Sequence, residues 1–167
     1  LLLCGNPGTP LLFGGTGSQS RSREMPRDLP ERLEAGTMNV LGAAGLGAGL
    51  RLIQRKGIRN IFDREHRQAA VCARQLKELG LRVFSGPHQA ATVSFQAQED
   101  CETLAEYLGK QSIAVRAGLH CAPLAHESAG TIEKGTVRVS FGHTASDDQR
   151  KALIAALERR RRSGGRL

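Results

Sequence analysis

Apolar residues along the chain first recur with a helical period, then alternate, then mix the two. Val40, Leu41, Ala44, Leu46, Ala48, Leu50, Leu52 and Ile53 support a helix with Asn39 as its cap and Gly57 as its stop. A second, longer amphipathic helix follows over 58–79. It is carried by Ile58, Ile61, Phe62, Ala69, Val71, Cys72, Leu76 and Leu79 and closed by Gly80, which places Cys72 in the core. "LRVFSG" and "ATVSFQA" then alternate as strands, divided by the Gly86–Pro87 break. Asp100 caps a short helix, "CETLAEYLGK", in which Cys101 is incidental. "SIAVRAG" and "GTVRVSFG" add two strands, and "SDDQRKALIAALERRR" forms a helix with Ser146 as cap and acids in its first turn. Two helices followed by β-β-α-β-β-α predict an α/β fold, a small sheet of about four strands with its helices packed on one face.

Ahead of these elements, "LLLCGNPGTPLLF" reads as a short buried strand, a turn and a second apolar run that ends in the glycine-rich "GGTGSQS". From Arg21 to Glu34 the chain is charged and carries Pro26 and Pro30, an irregular exposed connection. Glycines 42, 45, 47 and 49 each cost the first helix roughly 1 kcal/mol relative to Ala, a loss that close approach of another backbone would offset. They include a G-x-G, but no strand leads into it, so the dinucleotide signal is weak.

A chain of 167 residues buries one core, and with one Tyr, five Phe and no Trp that core is aliphatic. The net charge of +8 is unevenly spread: residues 158–167 hold five Arg against one Glu. Such a tail can bind nucleic acid with steep salt dependence, yet it usually marks a solvated, disordered end, and nucleic acid is not the expected partner. Cys4, Cys72, Cys101 and Cys121 form no CxxC pair, which indicates free thiols and a cytoplasmic location. No run approaches a membrane span. The first residue is Leu rather than Met, so an upstream part is expected.

Chemistry concentrates in "AVRAGLHCAPLAHE". Cys121 stands after His120, between Gly118 and Pro123, where an apolar run gives way to a loop. With His126 and the nearby Arg116 and Arg138, a thiol here can be activated, or it is merely a small residue in a turn. Zinc held by His120, Cys121 and His126 lacks a fourth ligand at a sensible spacing, and no metal site is expected. Arg138, in "TVRVSF", shares the polar face of its strand with Thr136 and Ser140. Its guanidinium suits either a bidentate grip on a carboxylate or an ordinary surface salt bridge. In "GGTGSQS" the backbone amides, Thr16 and Ser18 can cradle a phosphate, although such a stretch is equally a plain turn.

Together these stretches resemble the cysteine desulfurases of the class V aminotransferase group. The matching segments are "PLLFGGTGSQS", "MPRDLPERLEAGTMNVLGAAGLGAGL", "VRAGLHCAPLAHE" and "GTVRVSFGHTASDDQ", in the family's order. The resemblance implies the C-terminal small domain of a fold-type I pyridoxal 5'-phosphate transferase. It assigns Cys121 as the nucleophile that takes sulfur from L-cysteine as a persulfide, with His120 beside it. Arg138 then holds the substrate carboxylate, Thr37 reaches the cofactor phosphate of the partner subunit in a homodimer, and Gly15 and Thr16 lie beside that site. A sulfur-acceptor protein is implied as a further partner, and a selenium or related amino-acid substrate would ask little more of the pocket.

The family's cofactor lysine follows a histidine in a larger N-terminal domain. Lys56, Lys77, Lys110, Lys134 and Lys151 each follow another residue. The chain is therefore expected to be the C-terminal part of such an enzyme, inactive by itself, or else a remnant that dimerises without chemistry. The expected organisation is the end of the large domain over 1–20, a connection over 21–37, the small domain with its long interdomain helix over 38–157 and a disordered basic tail over 158–167.

Overall fold

The computed structural model describes Gly5, residues 8–86 and residues 88–167. The strand expected over 1–4 lies outside them. Two compact units divide the chain, one ending at Arg55 and the other running from Lys56 to Leu167.

In the first unit, residues 8–39 are irregular apart from a 3-10 turn at Glu31–Leu33, and the charges and prolines of Arg21–Glu34 predict this for that stretch. Helix α1 spans Val40–Lys56. Asn39 caps it, its Oδ1 accepting the Gly42 N–H at 2.8 Å, which satisfies one of the amides a helix start leaves open. The apolar run Leu11, Leu12 and Phe13 is exposed and in no strand. Helix α1 falls in the first unit up to Arg55.

The second unit opens at α2, Ile58–Glu78, entered through Gly57 at φ +79°. After it come β1 (Arg82–Phe84), β2 (Thr92–Gln96), α3 (Cys101–Lys110), β3 (Arg116–Gly118), α4 (Pro123–Ser128), β4 (Thr136–Ser140) and α5 (Asp147–Arg162). The strands form one antiparallel sheet in the order β1-β2-β4-β3. Period-two alternation sends Val93, Phe95, Val137 and Val139 to one face. There they meet Cys72 and Leu76 of α2, Leu104 and Leu108 of α3, and Leu153 and Leu157 of α5. Truncating any of these leucines to Ala would cost about 2–5 kcal/mol against a whole-domain margin of about 5–15, so this aliphatic layer decides whether the sheet forms.

The caps fall where the sequence places them. Asp100 accepts from Glu102 N and Thr103 N, both at 3.0 Å, and Ser146 with Gln149 closes a capping box on α5. Helix α4 was not anticipated; Pro123 at its first turn, with φ preset for a helix, is the signal. Along the basic tail α5 continues to Arg162, Arg160 grips Glu99 through Nε at 3.2 Å and Nη2 at 2.7 Å, and Leu167 packs against the core. A bidentate charge-assisted contact holds what composition alone marks as loose.

Candidate functional site

With its other face against the helices, the sheet presents a polar face on which two cross-strand rows matter. In the first, Arg82 stands opposite Gln96 on the β1–β2 side, and Thr136 opposite Gly118 on the β4–β3 side. In the second, Phe84, Ser94, Arg138 and Arg116 stand in register across all four strands. Like charges set directly opposite each other are destabilising. Arg116 and Arg138 nevertheless face each other, and among the described residues neither makes a salt bridge. Arg138 Nε is also shielded from solvent without a hydrogen-bond partner. Two guanidiniums lacking a counter-ion are suited to an anion.

The thiol turn meets the first row. Ala122 N donates to Leu119 O at 2.9 Å, closing a turn whose central residues His120 and Cys121 have φ +53° and +58°. Positive φ at both central positions is the signature of a turn normally filled by Asn-Gly or Asp-Gly, so His and Cys occupy it at a cost of about 1–2 kcal/mol each. Strain of this kind persists only where the surroundings hold it. A hydrogen bond at 3.1 Å between His120 Nε2 and Thr136 Oγ1 does part of this. Cys121 itself is exposed. Gly135, at φ +61°, backs the turn closely enough that a Cβ there would lie 3.0 Å from Gly118 and from Cys101 Sγ.

Thr136 is two residues before Arg138 on β4, a separation of about 7 Å along one face. The fold thus brings His120 close to Arg138 and Arg116, with Cys121 the next residue of the same turn. Behind them His126, buried, shares a 2.8 Å hydrogen bond with Thr131 Oγ1, and its ring lies 5.7 Å from that of His120. Burial, followed by the charges of Arg138, His126 and Arg116, holds His120 below the usual imidazole range and favours the neutral ring. The other thiols differ in kind. Burial pushes Cys72 up to about 11 and raises Cys101 as well, disfavouring the thiolate of both.

In the first unit Gly15 and Thr16, two of the three residues expected to approach a phosphate, line one cavity, and Thr37 is not among its lining residues. Gly36 N donates to Gly15 O at 2.8 Å, which seats the Gly36–Thr37 turn on the "GGTGS" loop, and Gly14 faces Ala35 closely. Gly15 and Thr16 line a cavity of ≈ 890 Å³ together with Arg23, Arg27 and Arg32, whose Nε is shielded and unpartnered. Glycine backbone, hydroxyls and guanidiniums form a donor set that fits a phosphate.

These two constellations can be set beside known proteins. The aminotransferase class-V family pattern matches residues 5–153. The chain belongs to that family. Its curated relatives include a cysteine desulfurase of Synechococcus elongatus, 36% identical over 78% of this chain and 21% of the relative. A probable cysteine desulfurase of Haemophilus influenzae is 32% identical over 90% of this chain and 35% of the relative. Among solved structures, the apo cysteine desulfurase of Thermococcus onnurineus superposes with TM-score 0.77 at 32% identity, covering 90% of this chain and 38% of that one. An Escherichia coli cysteine desulfurase in S-sulfonic acid form gives 0.79 at 28% identity over 93% and 39%. This class-V aminotransferase chain thus spans about a fifth to two fifths of the length of these relatives.

The sequence pattern does not single out Thr136 as the partner of His120 or the register that opposes Arg116 to Arg138. Both depend on which strands become neighbours. The one available signal was Thr136 sharing a face with Arg138.

Proposed function

We propose that the chain is the C-terminal portion of a pyridoxal-phosphate-dependent cysteine desulfurase, with Cys121 as the nucleophile that accepts sulfur. The observation that supports this reading is the His120–Thr136 bond, which ties the turn carrying the exposed Cys121 to the strand that carries Arg138. Arg138 takes the substrate α-carboxylate bidentately, its orphaned Nε finding a partner. Neutral His120 keeps a further cation away from Arg138 and Arg116. The Cys121 thiolate attacks the substrate sulfur, an S–S bond forms as the C–S bond breaks, and the electron pair left on carbon is protonated to give alanine. The cofactor, when bound, supplies the electron sink for that pair. Thr37, Gly15 and Thr16 are the residues of this chain that would hold its phosphate, by the family's dimer across the subunit boundary. Exposure of Cys121 then lets the persulfide pass to a sulfur acceptor.

The test is a chimera in which this chain replaces the equivalent segment of the Haemophilus relative, assayed for alanine release from cysteine. Activity in the chimera, its loss in Cys121→Ala, a raised KM in Arg138→Lys, and no alanine from this chain alone with added cofactor are the expected outcomes. Undiminished alanine release by the Cys121→Ala chimera would overturn the assignment. A second reading, an interaction domain without chemistry, draws on the exposed Leu41, Leu46 and Leu50 of α1. Cofactor binding and turnover by the chimera exclude it.

A further inference from the structure

The segment between the thiol turn and β4 does not hang free. Its far end is tied down across the polar face by side chains of β1 and β2. Arg82 Nη2 donates to Ala129 O, the C-cap of α4, at 2.6 Å. Gln96 Nε2 donates to Gly135 O at 3.1 Å. These two residues are direct cross-strand partners, and with Thr136 they make the first row of the face into a line of anchors for residues 120–135. The guanidinium of Arg82 is itself steadied, lying 4.9 Å over the ring of Phe84.

Position decides what these anchors do. β1 is an edge strand of three residues, and Arg82 makes no contribution to the aliphatic core. Its contact instead reaches 47 residues along the sequence, to the end of the helix that begins two residues after Cys121. The turn carrying His120 and Cys121 is strained and needs neighbours that over-determine it. We infer that Arg82, assisted by Gln96, is a positioning residue for Cys121: by fixing the Ala129 end of α4 it confines the loop and holds the thiol turn in its left-handed conformation against the sheet. This rests on the proposed role of Cys121, and it places control of that thiol on the opposite edge of the sheet from β3, where the loop starts.

Amide hydrogen exchange of the full chain, read residue by residue by NMR, tests the inference in Arg82→Ala, Arg82→Lys and Gln96→Ala. Losing a charge-assisted hydrogen bond should speed exchange at Ala122, His126 and Gly130 by about tenfold in Arg82→Ala and by less in Gln96→Ala. Core amides such as Leu104 and Val137 should keep their rates, and Arg82→Lys, which retains charge and donor, should restore most of the loop protection. A role confined to global stability would move all protected amides together and would overturn the inference. So would unchanged loop amides in Arg82→Ala, or no restoration by Lys. Iodoacetamide labelling of the same samples separates this from the function: labelling that fails to favour Cys121 counts against its role whatever the exchange shows.

Discussion

Replacing Cys121 by glycine removes the proposed nucleophile and should make the protein more stable. Cys121 has φ +58° within a turn whose preceding residue has φ +53°. A non-glycine residue in that region pays about 1–2 kcal/mol, and glycine relieves it. Against this stands the greater freedom of glycine in the unfolded chain, about 0.5–1 kcal/mol. The thiol is exposed, so little buried surface is lost with it. The balance is a gain of about 0.5–1 kcal/mol, seen as a rise in melting temperature of about 1–4 °C. Urea denaturation of the full chain measures it directly, with Cys121→Val as the contrast: a β-branched side chain is least tolerant of positive φ and should lose at least about 1 kcal/mol. If Cys121→Gly instead loses more than about 1 kcal/mol, the turn is held by contacts of the cysteine side chain and the strain argument fails. A gain would show that folding does not require cysteine here, as expected where strain is tolerated for function.

Two further outcomes follow from the titrating groups. At about pH 8 a thiol pushed up to about 11 is ionised in only about one molecule in a thousand. Mass mapping after brief alkylation should therefore find Cys121 labelled well ahead of buried Cys72 and Cys101; equal labelling of the three would contradict the structure. His120 is held below the ordinary imidazole range, so its contribution to stability is present above the unfolded value of about 6.5 and is lost as pH falls below it, because the unfolded chain takes up a proton that the folded chain resists. His120→Gln should flatten the decline in urea midpoint between about pH 7.5 and about pH 5, and an unchanged slope would show that His120 does not set it.

The helices were legible because their signals are local: Asn39, Asp100 and Ser146 cap helices that begin at the next residue, and Gly57 and Gly80 fall at the breaks between elements. The alternation of Val93, Phe95, Val137 and Val139 likewise announced a buried sheet face. Thr37, Gly15, Thr16, His120, Cys121 and Arg138 were singled out as candidates through the family resemblance of their motifs, which the residue pattern by itself left open to plainer readings. The order of the tail is not legible locally, because its arginines look solvated until Glu99, far away in the sequence, is placed against Arg160.

Pairing partners are what a linear chain does not state. The order β1-β2-β4-β3 brings Arg116 opposite Arg138, hangs His120 on Thr136, and lets Arg82 reach Ala129. Sequence by itself determined where all the long helices and the four strands form, because helix periodicity, capping and strand alternation act over a few residues. Tertiary structure alone decided which side chains share a face and what restrains the thiol, because strand register joins residues whose separation along the chain has no local energetic trace.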